Sequence, residues 1–527
     1  MSKKIKYLFF ICCYVVHLAF AGHHGNDKAT KKIKKEADLL YEKKEYSKAF
    51  PCYMRIYDSD SLNSDLNYRI GVCLYNSKER KLKSLKYFEK CDKISLPETS
   101  FYLGTLYHSM SKFNEAIKSF ENYQSLTQKK EIDSAWVNLL ISKSKNAIEI
   151  TKCPLNVVIH NMGEVINSPY PDYAPLVSAD ENMLIFTSRR SSSKGGLQDL
   201  NGEYMEDVYV SYKQTDGSWG RPKSISKNIN TDFHDAGVAL SPDGQQLIVY
   251  RTSDDMLSGD LYISRFNGKD WSEPQMLGSD INMEDAVEAS ATFSPDDNML
   301  IFSSDRPGGY GGKDLYRVVR LPNGRWSKAQ NLGSTVNTKY DEDGPFMHED
   351  GTTLYFSSKA HDNNIGGYDV YKSTLNEDGS WCKPENIGYP INTVNDDIFI
   401  FSVNGNLAYF SSQSQNSFGA SDIYTLDVPD QNFGLAIVSC RLLSTDTLST
   451  PAIITLIDKD NEDFHARYTC NRNTGKFIMI VNPGRTYRMT VQAEGFLPVE
   501  KELFFTTEDF TDNVKEMNFK LLKIIAK

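Results

Sequence analysis

The sequence predicts a multidomain α + all-β protein: a helical array, then a five-bladed β-propeller, then a β-sandwich. Three observations carry this. The triplet Asp-aliphatic-Tyr recurs at Asp207, Asp260, Asp314, Asp369 and Asp422, in steps of 53, 54, 55 and 53 residues. Small residues recur at Ala37, Gly71 and Gly104, in steps of 34 and 33. Beyond residue 432 short β-rich runs alternate with turn residues.

Bulk properties set the outer bounds. A chain of 527 residues suggests three or four domains, and a net charge of -10 argues against a nucleic-acid partner. The opening reads as a leader over residues 1–21, with "MSKKIK" basic, "YLFFICCYVVHLAF" apolar and "AFA" standing before Gly22. The protein is therefore expected to be exported to the periplasm and associated with the outer membrane; no later run approaches the ~20 apolar residues of a membrane span. Cys12 and Cys13 lie in the apolar run without a lipoprotein pattern around them. The seven remaining cysteines are widely spaced with no CxxC pair, which excludes a zinc or redox motif; Cys440 and Cys470 fit either a disulfide or two buried thiols.

Residues 28–150 read as helices. In "FYLGTLYHSMSKFNEAIKSFENY", Gly104, Tyr107, Ala116, Phe120 and Tyr123 sit where small residues let antiparallel helices approach and aromatics fill between hairpins. Ala49 and Tyr53 complete an earlier unit, while Ser84 and Phe88 come one residue late. The pattern resembles the tetratricopeptide family, whose period is about 34 residues. "IDSAWVNLLISKSKNAIEI" reads as a helix that caps the stack.

Residues 155–428 carry the period of about 50 that marks a propeller or an array. In one unit "ATFS" and "MLIFSS" flank the turn "PDDN", "DLYRVVR" is a third strand, and "GRWSKAQNLG" holds a fourth. Tryptophans near the fourth strands number four, at Trp219, Trp271, Trp326 and Trp381, against five third strands. "LNVVIHNMGEVIN" (155–167) is the expected missing strand, closing the last blade and hiding the open edges. Ser294-Pro295-Asp296, Ser304-Asp305-Arg306, Gly311-Gly312 and Asp314-Leu315-Tyr316 resemble the WD-like repeats of TolB-type propellers. The last unit has Gln413 where an Arg is expected, and the first carries the insertion "SSSKGGLQDLNGEYM". Residues 432–527, through "TGKFIMIVNPGRTYRMTVQAEGF", resemble the transthyretin-like, carboxypeptidase-regulatory sandwich.

The chain holds no GxSxG elbow, HExxH, Walker loop or dinucleotide fingerprint, and only about a hundred residues follow the propeller, too few for a hydrolase domain. The expectation is accordingly no enzyme, no cofactor and no metal. One constellation stands out. Six residues before the hairpin-opening Ser178, Ser241, Ser294, His348 and Ser402 stand Asp172, Asp235, Glu288, Glu342 and Asp396. Arg189, Arg251, Arg306 and Lys359 follow the second strands. Either each acid pairs with a base or caps a turn, or the five form a ring at the channel mouth for a cation or basic peptide. Two lesser signals are "DKDNED" (458–463), half a calcium loop or an acidic hairpin tip, and Gly22-His23-His24, a Cu(II) chelate if cleavage follows Ala21.

The order leader, tetratricopeptide array, WD-like propeller, regulatory-type sandwich is similar to the OmpA-family, PorE-like cell-envelope proteins. That resemblance implies a non-catalytic periplasmic scaffold whose partners are cell-envelope proteins, among them type IX secretion or gliding components. Peptidoglycan binding is not implied, since no OmpA-like domain is seen. The alternatives are a soluble module holding a peptide, glycan or cation at the propeller mouth, and a hydrolase accessory subunit.

Overall fold

The computed structural model describes residues 29–524 apart from 78–79, 127–131, 179–180, 200–201, 254–257, 377, 405–406, 415, 428–435, 444–451, 460–464, 472–474, 482–484 and 507–513. The expected leader, Gly22-His23-His24 and most of the 458–463 loop lie outside the described residues. The chain divides after Lys145 into two compact units.

The first unit is helical: α1 (29–42), α2 (Tyr46–Tyr57), α3 (Ser64–Tyr75), α4 (Leu85–Phe88), α5 (Glu98–Ser109) and α6 (Phe113–Leu126), with α7 (Ser134–Ile150) running out of it. Asn63 starts α3 by accepting a hydrogen bond from Leu66 N at 2.9 Å, which satisfies a first-turn amide. Ala37, Ala49 and Tyr53 are fully buried with Ile70 and Leu74 in one core. Close approach explains the repeated glycines. A Cβ on Gly104 would stand 2.6 Å from the Phe120 ring, and one on Gly71 would stand 2.7 Å from the Phe88 ring. The late Phe88 still reaches Gly71 because a 3-10 turn, Lys81–Ser84, precedes a shortened α4. No helix among the described residues is long and apolar enough to cross a membrane.

The second unit holds many antiparallel sheets, and its larger part is propeller-like. Sheet 1 comprises Asp172–Val177, Met183–Ser188, Asp207–Tyr212 and Lys223–Ser224. Sheet 2 comprises Asp235–Leu240, Gln246–Thr252, Gly259–Arg265 and Gln275–Met276. Sheet 3 comprises Glu288–Phe293, Met299–Ser304, Asp314–Val319 and Gln330–Asn331. Sheet 4 comprises Glu342–Met347, Thr353–Ser358, Asp369–Thr374 and Glu385–Asn386. Sheet 5 takes Asp397–Asn404, Leu407–Ser412 and Asp422–Asp427, and its fourth strand is Val158–Asn161, pairing Val158 with Asp427 and Asn161 with Tyr424. The first strands neighbour one another in a closed circle, with sheet 5 against sheet 1. The tryptophans make single bridges, such as Lys213 with Trp219, and the short fourth strands begin after them.

The recurrent residues have local reasons. Ser294 Oγ accepts from Met299 N at 2.9 Å and donates to Asp296 at 2.6 Å, closing the hairpin turn; Ser241 and Asp243 repeat this. The sheets are joined by a buried asparagine in each link. Asn167, Asn230, Asn282, Asn337 and Asn392 each accept from and donate to the backbone of one third-strand residue: Ile423, Val208, Leu261, Leu315 and Val370. The aliphatic residue before each, Ile166, Ile229, Ile281, Val336 or Ile391, is buried against the sheets.

Beyond the ring, Lys476–Val481, Ala436–Leu443 and Val514–Lys520 form one sheet, and His465–Thr469, Ile453–Asp458, Thr486–Gln492 and Val499–Phe504 form another. They share a core that includes Leu456, Phe477, Met489 and Phe519. Cys440 and Cys470 lie in that core as free thiols, and burial pushes the Cys470 thiol up to about 11.

Two substitutions test this account by urea unfolding. Gly104→Val forces a side chain into the Phe120 ring and should cost about 1–3 kcal/mol of helical-unit stability. Asn337→Ala strands the Leu315 amide and carbonyl in a dry link and should cost on the order of 2–4 kcal/mol.

Candidate functional site

Four of the five sequence-predicted acids open the first strands of their sheets, and all four are fully buried: Asp172, Asp235, Glu288 and Glu342. Each reaches back to the link that enters its sheet. Asp172 accepts from Ser168 N and Oγ, Asp235 from Thr231 N and Oγ1, and Glu342 from Thr338 N and Oγ1. Glu288 accepts from Met283 N at 3.3 Å, and from the second-strand Ser304 Oγ at 2.6 Å. The fifth member is Asp397 and not Asp396. Asp397 pairs with Ser412 as Glu288 pairs with Ser304, is fully buried, and accepts from Thr393 N and Oγ1. Ser402 pairs with Ala408 as Phe293 pairs with Leu300, so it stands one place before the turn opener and a count of six lands one residue early. Asp396 instead accepts from Tyr368 N at 2.9 Å.

The cations also differ from the expected set. Arg190, not Arg189, pairs with Asp172 at 2.6 Å, Arg251 with Asp235 at 2.6 Å and Arg306 with Glu288 at 2.9 Å. The guanidinium of Arg306 lies over Phe302 and Tyr316, and that of Arg190 over Phe186 and Tyr209, which is one role of the recurrent tyrosine. Lys359 pairs with Asp341 rather than Glu342. The aspartates of the triplet form a second seam: Asp314 accepts from Tyr310 N and Gly311 N, Asp369 from Ile365 N and Gly366 N. Among the described residues no group of three or more His, Cys, Asp or Glu is placed to hold a metal ion. Asp458 is buried and accepts from Arg485 at 3.0 Å.

A different polar cluster occupies the mouth at the end of the ring opposite the hairpin turns. Its members come from the residue after the first-strand acid (Tyr173, Asp343), the residue before the third-strand Asp (Glu206, Lys313, Tyr368) and a second strand (Tyr250). Tyr173 OH donates to Glu206. His234 Nδ1 lies 3.2 Å from the Glu206 carboxylate and 3.3 Å from the Glu206 amide, so the ring nitrogen accepts from the amide when neutral and donates to the carboxylate when protonated. Burial would raise the Glu206 carboxyl, but His234, Tyr173 and Arg189 outweigh it and hold it below its ordinary value. Asp343 is treated the same way: burial raises it, and Lys313 at 2.8 Å with Ser290 and the Gly344 amide brings it below the usual range. Both carboxylates are therefore ionised at neutral pH. Tyr250 feels the charges of both Glu206 and Lys313, which bridges the two halves of the cluster. Tyr310 and Phe418, in the loops between second and third strands on this face, are about half exposed, at 54% and 50%.

The mouth has a floor. Ala174, Gly344 and Phe399 all have positive φ, near 53°, 56° and 59°, at irregularities in three first strands. A Cβ on Gly344 would stand 3.0 Å from the Phe399 ring, and that ring stacks on Tyr173 with centroids 6.2 Å apart. One of these bulges sets the Phe399 ring against Tyr173 and Gly344.

Spacing could not reveal this cluster, since its residues sit at different repeat positions. The signal that was available is departure from the repeat: Glu206, Lys313 and Tyr368 differ from one another at a place where flanking positions agree.

No family model matches the chain, and no curated protein matches it. Solved structures with a similar strand arrangement include a glycoside hydrolase (8% identity, TM-score 0.38, 54% of this chain and 94% of the other). A GH43 β-xylosidase/α-arabinofuranosidase from a compost microbial metagenome aligns at 11% identity and TM-score 0.35, over 51% of this chain and 95% of the other. A β-1,2-mannobiose phosphorylase from Listeria innocua aligns at 9% and 0.35, over 52% and 96%. The likeness extends to the strand arrangement alone. It corrects the expectations of a non-catalytic scaffold or binding module and of no enzyme. These neighbours are glycoside hydrolases and a phosphorylase, at low identity. No match supports the OmpA or tetratricopeptide resemblance.

Two of the buried acids, Glu342 and Asp397, pair with no cation among the described residues and are pushed up to about 7, chiefly by burial. A carboxyl whose folded pKa exceeds its unfolded value binds its proton more tightly in the fold. Its contribution is fully present below the unfolded value and is lost as pH rises through about 7. Asp397→Asn with Glu342→Gln preserves the bonds, because an amide oxygen accepts from the backbone and its NH2 donates to Ser412 or Ser358. The double variant should lose less Tm than the parent between about pH 5 and 8 by thermal unfolding.

Proposed function

We propose that the chain is an acid–base enzyme acting on a polyhydroxylated, sugar-like substrate at this mouth. One observation carries the reading: two ionised carboxylates, Glu206 beside His234 and Asp343 beside Lys313, converge with Tyr173, Tyr250 and Tyr368. Carboxylates accept from sugar hydroxyls, Lys313 and Arg189 donate to ring and hydroxyl oxygens, and tyrosines do both. The exposed Tyr310 and Phe418 offer apolar faces to the sugar's C–H side. Hydrolysis of a glycosidic bond needs one group to take a proton from water and another to protonate the departing oxygen. Asp343 is the base in this reading. The imidazole of His234, 3.2 Å from Glu206, takes the donor's part in this reading.

The closed circle of first strands supports five blades of one propeller, the Gly71–Phe88 and Gly104–Phe120 contacts support tetratricopeptide-type hairpins, and the shared core of the last two sheets supports a transthyretin-like sandwich. The basic, apolar and small-residue order of 1–21 supports export, so the substrate is sought among envelope and extracellular glycans.

Incubation of the purified chain with a panel of plant and bacterial glycans, read by reducing-end release, is the test. Glu206→Gln and Asp343→Asn should each lower turnover at least a hundredfold with Tm retained, and His234→Ala should lower kcat. Absence of turnover across the panel, or turnover indifferent to both carboxylate variants, overturns the reading.

A further inference from the structure

Sheet 1 carries an addition that the repeat does not require. Ser188 pairs with Asp207 across its second and third strands, so the next residues towards the mouth, Arg189 and Glu206, stand opposite one another. The same place in sheet 4 holds Lys359 and Tyr368, and there the ammonium lies over the ring at 4.8 Å. An arginine facing a glutamate across two antiparallel strands is set up for a two-pronged ion pair. Among the described residues Arg189 pairs instead with the inserted hairpin. Its Nε donates to the Tyr204 carbonyl at 2.8 Å, Nη1 to Glu203 at 2.6 Å and Nη2 to Asp199 at 2.5 Å.

The hairpin is built for this hold. Gln198 bridges to Tyr204, Asp199 N donates to the Glu203 carbonyl at 2.8 Å, and Glu203 N donates to the Asp199 carboxylate at 3.1 Å, which brings the two acids side by side. Tyr204 stands edge-on to Tyr170, in the link that enters sheet 1, with centroids 5.5 Å apart. The side chains of Arg189, Asp199 and Glu203 are 14%, 15% and 21% exposed, so water competes little for these bonds. Three of the five guanidinium N–H donors are used and two remain. Glu206, not engaged by the arginine, keeps its carboxylate for Tyr173 and His234. Sheet 3 sets Asp305 opposite Lys313 at the same place and also keeps them apart: Asp305 accepts from Val287 N at 2.8 Å, and Lys313 goes to Asp343 at 2.8 Å.

We propose that Asp199 and Glu203 are positioning residues of the mouth: they hold Arg189 off Glu206, so that cation and carboxylate both stay available to substrate. The role rests on the activity proposed above. Both acids act through Arg189. The physical reason is competition for one guanidinium. Two carboxylates and a carbonyl outcompete the single carboxylate of Glu206. Neutral amides in their place would not, because a hydrogen bond to an ionised acceptor is about twice as strong as one to a neutral acceptor. Without the two charges Arg189 turns to Glu206, and the pair closes on itself. The same logic accounts for where the insertion lies. Sheet 1 alone sets an arginine opposite a glutamate at this place, and sheet 1 alone carries the added hairpin.

The test has a structural arm and a kinetic arm, both on the full chain carrying Asp199→Asn with Glu203→Gln. A crystal structure of this variant should show the Arg189 guanidinium on the Glu206 carboxylate, at about 3 Å. A guanidinium that stays on the hairpin overturns the proposal. In the kinetic arm, reducing-end release from the plant and bacterial glycans of the same panel should show kcat at least tenfold below the parent's, with Tm retained. In an Arg189→Ala background the same two substitutions should change kcat less than twofold, because the acids then have no guanidinium to act through. An equal loss in both backgrounds, or a kcat equal to the parent's, overturns the proposal and leaves the activity reading standing. A parent without turnover on any glycan overturns the activity reading and, with it, the part played towards substrate, and the crystal structure then decides the hold on Arg189 by itself.

Discussion

The ring depends on one constraint: each sheet must be joined to the next through a dry link without stranding backbone groups. A buried asparagine meets it five times. The side-chain amide mimics a peptide group, so Asn337 presents both an acceptor and a donor to Leu315, as a neighbouring strand would. In four links the carboxylate that opens the first strand also holds the serine or threonine that follows the asparagine, as Asp235 holds Thr231 and Glu342 holds Thr338, while Glu288 takes the Met283 amide. Polar satisfaction, rather than apolar area, sets the spacing between sheets, and the aliphatic residue before each asparagine fills what remains.

Closure follows from the same constraint. Five third strands need five asparagines and five fourth strands, and the fifth of each comes from the start of the unit. Val158–Asn161 pairs with Asp422–Asp427, and Asn167 binds Ile423. The seam is therefore made by residues some 260 positions apart, which removes the free edges an open row would present. Once closed, the ring has two unlike ends. The ends of the first strands away from the hairpin turns gather charged and tyrosine side chains. The ends at the turns gather aliphatic and phenyl groups, and the C-terminal sheets cover them.

Much of the ring was legible in the chain because repetition averages out local ambiguity. One Asp-Leu-Tyr says little, whereas five at steps of 53 to 55 residues define a register. The same repetition misplaced details wherever a unit departs from the rule. A slipped turn moved the fifth acid from Asp396 to Asp397. An extra arginine in the first unit disguised Arg190 behind Arg189, whose own partners are Asp199 and Glu203 in the inserted loop. Counting residues assumes equal loops, and hydrogen-bond register does not.

What the sequence by itself determined is the set of elements, their order and the recurrent clamp residues, since these rest on short-range periodicity and on turn chemistry confined to a few neighbours. What only the tertiary structure decided is which unlike residues meet. Tyr173, Glu206, Lys313 and Asp343 become one mouth, and Leu176, Val238, Phe346 and Glu349 become one cavity wall, because closing the ring brings the same end of five sheets around a single axis. No local pattern records that convergence: its members are far apart in the chain, differ in kind, and share only a position along their strands.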